Sequence, residues 1–172
     1  MNEERLLDLL RVMLKNSRLS DRELAKLLNV SQPTVSRSRI ALEKQGYIKT
    51  YTLIPDFRKM GYRLLVLTFC KMKSYPNAKE AMDLVKQGAE WARKRANVIF
   101  ASDGQGLGGA DIVMMSLHRD YDEYLKFMHS YAFEWGYALT TFDSFVVSTS
   151  SELVMKPFDL RYLAYDKADE SP

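Results

Sequence analysis

Val30-Ser31-Gln32-Pro33-Thr34-Val35-Ser36-Arg37-Ser38-Arg39-Ile40-Ala41-Leu42 is the stretch on which the reading of this chain turns. Ser31 is a favoured N-cap type, and Pro33 falls in the first turn, where a missing N–H costs nothing. A helix over residues 31–46 follows, running to about Gln45 with Gly46 as the residue just beyond its end. Val35 and Leu42, seven apart, face a core together with Ile40. Gln32, Thr34, Ser36, Arg37 and Ser38 take the outer face. These types suit DNA: Gln matches adenine N6/N7, Arg matches guanine O6/N7, and small hydroxyls let a helix enter the major groove. A solvated helix face carries Glu and Lys at i, i+4, yet residues 31–42 contain no acid. Arg39 lies four residues after Val35, so its stem is expected along the core with its guanidinium on a phosphate.

Working upstream, Ser20-Asp21-Arg22-Glu23 has the form of a capping box, with Ser20 and Glu23 each satisfying an amide of the other. It opens a short helix whose apolar residues are Leu24, Leu27 and Leu28. Before it, Leu6, Leu7, Leu9, Leu10, Met13 and Leu14 repeat at helical spacing over residues 3–15. Two helices joined by a few residues, the second strongly capped, make a helix-turn-helix. Downstream, Tyr47 to Ile54 is rich in β-formers and ends at Pro55, which predicts a wing, or a strand leading out of the DNA-binding domain, with Lys49 as a phosphate contact.

The charge balance agrees. The 172-residue chain carries a formal net charge of +3. Residues 1–60 hold 12 Lys and Arg against 7 Asp and Glu, so the front is basic and the remainder slightly acidic. A basic front marks the place where a polyanion docks. No apolar run reaches the roughly 18 residues that span a bilayer, so no membrane role is expected. The single cysteine, Cys70, sits in the apolar run Leu64-Leu65-Val66-Leu67-Thr68-Phe69-Cys70 and reads as a buried thiol. The expected location is cytoplasmic.

The rest of the chain reads as strand 62–72, helix 76–95, strand 97–102, a glycine-rich loop 104–109, strand 111–117, helix 121–135 and strand 142–149. β-α-β-β-α-β is the order of a ferredoxin-like split βαβ sandwich. A short strand near Leu153, a helical turn over 159–164 and a disordered end over 166–172 complete the reading. The fold class is therefore α+β, with a winged helix-turn-helix over 1–60 and a sandwich over 61–172.

Taken together, Leu24-Ala25, Val30-Ser31, Thr34-Val35-Ser36-Arg37, Leu42-Glu43 and Gly46-Tyr47-Ile48 resemble the Lrp/AsnC (leucine-responsive regulator) family of transcription factors. Tyr51, Pro55 and Met60-Gly61-Tyr62, leading into an apolar strand, carry the more discriminating part of the likeness, and Gly108-Gly109-Ala110-Asp111 is similar to that family's characteristic turn. The resemblance implies a homodimer or higher oligomer built through the sheets. It also implies a small-molecule effector, such as an amino acid, held between subunits near Gly108, Gly109 and Asp111. The chain departs from the family pattern in Arg39, in a long first sandwich helix and in extra glycines at 104–109.

Other chemistry finds little support. The glycine loop lacks the Lys-Ser/Thr of a Walker loop, and it opens a strand rather than a helix. His118 and His129 have no ligand-type neighbours at metal spacing. No nucleophile–base set or paired carboxylate with a plausible context appears, so neither a cofactor nor a catalytic role is expected. The function expected is a sequence-specific double-stranded DNA-binding regulator using Ser31, Gln32, Thr34, Ser36, Arg37, Ser38, Arg39 and Lys49. The alternative is a metabolite-binding or small-molecule enzyme module whose front domain serves assembly.

Overall fold

Caps and apolar stripes set the first three helices of the computed structural model, which describes residues 3–75, 77–151 and 153–165. They are α1 (Glu3–Lys15), α2 (Asp21–Leu27) and α3 (Gln32–Lys44). Leu6, Leu9 and Met13 form the buried stripe of α1, and they pack on Leu24, Ala25, Val35 and Leu42. Removing an aliphatic side chain of this size from water stabilises a fold by about 1.5–3 kcal/mol. A short 3-10 helix, Leu160–Tyr165, packs on α1 with Ala164 buried, and the Lys15 ammonium lies 4.3 Å from the Tyr165 ring centroid.

The second unit contains β1 (Leu64–Met72), α4 (Ala78–Arg93), β2 (Val98–Asp103), β3 (Ile112–His118), α5 (Tyr121–Trp135) and β4 (Leu139–Ser148). The sheet is antiparallel with order β2-β3-β1-β4, the split βαβ arrangement that the element order predicts. Side chains alternate across β1. Val66 and Cys70 point to the helices and pack with Met114, Tyr124, Met128, Tyr131 and Leu139. Cys70 is buried, with Sγ 3.2 Å from the Tyr131 hydroxyl, and burial pushes its pKa up. The opposite face is apolar. Register puts Phe100, Met115, Leu67 and Phe145 in one row across all four strands, and Phe100 and Phe145 are exposed.

Several expectations change. Residues 47–54 form no strand, because no partner strand among the described residues completes a ladder with them; Ile48 N–H is bonded instead to Leu42 O at 3.2 Å. Residue 153 is likewise outside any strand. In α3 the buried stripe is Val35, Ser38 and Leu42. Ile40 lies about 200° round the helix from Leu42 and is 47% exposed, whereas Ser38 is 6% exposed. In α2, Leu24, Ala25 and Leu28 turn inward and Leu27 lies to one side, 63% exposed. β4 starts at Leu139, three residues earlier than the sequence reading. The compact units also divide differently from 1–60 and 61–172: Pro55–Leu153 forms one, and the described residues up to Ile54 join those from Val154 in the other. The helical turn expected over 159–164 is present, and the end expected to be disordered, 166–172, lies outside the described residues.

Candidate nucleic-acid interface

Two capped helix starts frame this surface. Ser20 N–H donates to the Glu23 carboxylate at 2.7 Å, and Glu23 N–H donates to Ser20 Oγ at 3.3 Å. The Ser20 hydroxyl and amide both donate to Glu23, so its pKa lies below the ordinary carboxylate value. Asn29 takes a positive φ of 52°, a conformation Asn tolerates better than most residues, and this turns the chain from α2 into α3. Ser31 Oγ then accepts from Thr34 N–H at 3.3 Å and lies 2.8 Å from Thr34 Oγ1. Gly46, at φ 78°, closes the far end after the Gln45 C-cap.

This local chemistry presents one solvent face of α3. Ser31, Gln32 and Arg37 are exposed, and Thr34 and Ser36 are half-buried. Lys44, three turns along from Pro33, lies on the same side as Arg37, and Lys49 is exposed in the segment that follows. Two of the expected contacts stand elsewhere. Ser38 belongs to the buried stripe. Arg39 is held inside the domain: its Nη2–H and Nε–H donate to one oxygen of Asp21 at 2.7 and 3.1 Å. Burial opposes the charge of Arg39, but the bonds to Asp21 and to the Tyr51 hydroxyl outweigh it and hold its pKa above the ordinary value. Tyr51 in turn donates to Glu43 at 2.7 Å. Asp21, Arg39, Tyr51 and Glu43 thus form a chain of contacts joining α2, α3 and the segment beyond. Sequence reading missed this network; the signal available was an Arg placed four residues after a core Val.

At the far end of the sheet, Gly108 and Gly109 have φ of 63° and 77°. Gly104 N–H and Gly106 N–H donate to Asp111 O and Ala110 O, so the loop closes on itself between β2 and β3. A Cβ on Gly109 would lie 3.1 Å from Lys71 Nζ. Asp111 accepts from Met72 N–H at 3.0 Å through its carboxylate, and its own N–H donates to Cys70 O. Its side chain therefore has a structural duty, tying the end of β1 to the loop. An open groove of about 330 Å³ runs past Asp111, Lys73 and Tyr75.

Residues 3–49 match the family described as winged helix-turn-helix DNA-binding. This front segment is thus similar to a DNA-binding domain. An uncharacterised HTH-type transcriptional regulator of Pyrococcus abyssi is 43% identical over 56 residues, 33% of this chain and 38% of that protein. The chain spans between 38% and 53% of the length of the curated relatives it first matches. An AsnC family transcriptional regulator from Agrobacterium tumefaciens superimposes with a TM-score of 0.73 at 17% identity, covering 95% of this chain and 99% of that one. A Neisseria meningitidis transcriptional regulator in complex with L-Met gives a TM-score of 0.72 at 17% identity, covering 89% and 92%. The Lrp/AsnC fold therefore extends over both units.

Proposed function

We propose that this chain is a sequence-specific double-stranded DNA-binding transcriptional regulator, acting as a homodimer or higher oligomer. The observation that carries the reading is the acid-free run 31–42 of α3, with Gln32 and Arg37 exposed on a helix capped at both ends. Gln32 and Arg37 read base edges. Ser31, Thr34, Ser36 and Lys49 hold phosphates. Ser38 and Arg39 leave the contact set, one being buried and the other committed to Asp21. One recognition helix touches few base pairs, so a two-fold pair reading half-sites about 10 bp apart is the effective unit. The apolar row Phe100, Met115, Leu67 and Phe145 is the surface on which copies pair. Because a regulator of the same fold is known with L-Met, a small metabolite is the modulator proposed for the turn at Gly108, Gly109 and Asp111, between subunits.

Electrophoretic mobility shift with genomic fragments tests the reading. Binding that weakens steeply with salt is expected, and the Arg37→Ala variant loses about 1–3 kcal/mol on the bound fragment with relaxed preference at one position. Absence of salt-sensitive binding to any fragment removes the regulator reading. Thermal denaturation in the presence of amino acids tests the effector, through a concentration-dependent rise in Tm.

A further inference from the structure

A partly open cavity of about 270 Å³ lies in the second unit, between α4, α5 and the sheet. It arises from the side chains of α4. That helix turns Gly88, Ala89 and Ala92 toward the cavity, and not one residue of its sixteen is buried. Gly88 sits in a helix interior, where glycine is a poor choice. Nothing crowds it: an added Cβ would meet only Trp135, at 4.0 Å. The opposite walls are formed by the large side chains of Tyr131, Trp135 and Met114. Native interiors fill such space. An apolar cavity of about 150 Å³ is enough to admit benzene, so this one takes a larger molecule.

Two polar features define the occupant. Trp135 lines the cavity, and its indole Nε1–H is buried with no hydrogen-bond partner among the described residues; a buried donor left unpaired is disfavoured, and a ligand acceptor would satisfy it. Asp103 also lines the space and repels an anion. We infer that the protomer holds a binding site between α4, α5 and the sheet for a neutral, mainly apolar molecule, one substituted aromatic ring in size, that bears one hydrogen-bond acceptor. The site lies within a single protomer and does not depend on the effector reading of the Gly108–Asp111 turn.

The chain has two tryptophans, Trp91 and Trp135, and both line the cavity. Their indole ¹H–¹⁵N resonances in the full chain, assigned with Trp91→Phe, therefore report on it directly. Acetophenone, a ring with one carbonyl acceptor, is expected to shift both resonances saturably and to move the Trp135 indole proton downfield. Ethylbenzene, which lacks the acceptor, binds at least threefold more weakly and leaves the Trp135 proton in place. Benzoate does not bind. Gly88→Leu and Ala92→Leu, which fill the space from α4, each abolish the acetophenone shifts while the rest of the spectrum stays native. Should one variant fail to fold, the other decides. No saturable shift with acetophenone, or unchanged binding to a folded filled variant, overturns the site; equal binding of ethylbenzene or benzoate overturns the ligand class.

Discussion

Removing either partner of the Arg39–Asp21 pair separates two roles for one arginine. The guanidinium places two N–H groups on a single carboxylate oxygen, at 2.7 and 3.1 Å, with the side chains 22% and 26% exposed. Exposed pairs are worth about 0.2–1 kcal/mol, and hydrogen bonds to charged groups about 1.5–3 kcal/mol. A pair shielded to this degree, and held further by Tyr51, should show a coupling of about 1 kcal/mol. The assay is a double-mutant cycle with Asp21→Ala, Arg39→Ala and the double variant, read by urea denaturation. The same proteins are then titrated with operator DNA across a salt series. Each phosphate contact contributes roughly 0.9 to the slope of log K against log salt. Arg39→Ala should leave that slope unchanged, and Arg37→Ala or Lys49→Ala should reduce it if the residue touches a phosphate. A coupling below about 0.3 kcal/mol, with a slope loss near 0.9 for Arg39→Ala, would refute the reasoning and return Arg39 to the DNA surface.

Three further outcomes follow from the same geometry. Ser20→Ala removes the side-chain half of the capping box, leaving the backbone N–H of residue 20 on Glu23, and should cost about 1 kcal/mol, seen as a lower urea midpoint; Ser20→Asp should recover most of it. Burial lowers the pKa of His118, partly offset by Glu123, and its Nε2 lies 2.9 Å from Ser116 Oγ. The unfolded chain therefore takes up this proton near pH 6.5 while the folded chain resists it; the stability His118 confers is complete above that value and is lost as pH falls through its lower folded value. The urea midpoint should drop between pH 7 and 5, and an equal drop in His118→Gln would exclude His118 as the cause. Phe145→Lys, placed at the exposed β4 end of the apolar row, should shift the oligomer toward monomer in sedimentation velocity without lowering secondary-structure content; an unchanged sedimentation coefficient would move the pairing surface elsewhere.

What the sequence disclosed was local. The Ser20–Glu23 and Ser31–Thr34 caps involve partners three residues apart, and helix 121–135 was bounded correctly because Asp120 caps it and Gly136 ends it. What it withheld depended on distant partners. Ile40 looks like a core residue by type, but the angle set by Val35 and Leu42 turns it outward and brings Ser38 in. Residues 47–54 have the composition of a strand and no ladder to join. Arg39 and Asp21 are eighteen positions apart, so nothing in either neighbourhood announces the pair. β4 gains its first residues through pairing of Leu139 with Met72, across a register shift between Lys71 and Met72.

The 3-10 helix at Leu160–Tyr165 has a consequence for how the protein comes to be. It packs on α1, yet the whole sandwich is translated between the two. On the ribosome, α1 emerges before the sandwich and its covering turn after it. The three-helix unit thus stays unfinished until the sandwich has left the exit tunnel. A chain stopped at residue 54 would keep the three-helix core but bare one flank of α1, and clipping after Leu153 would injure the front of the protein rather than its back.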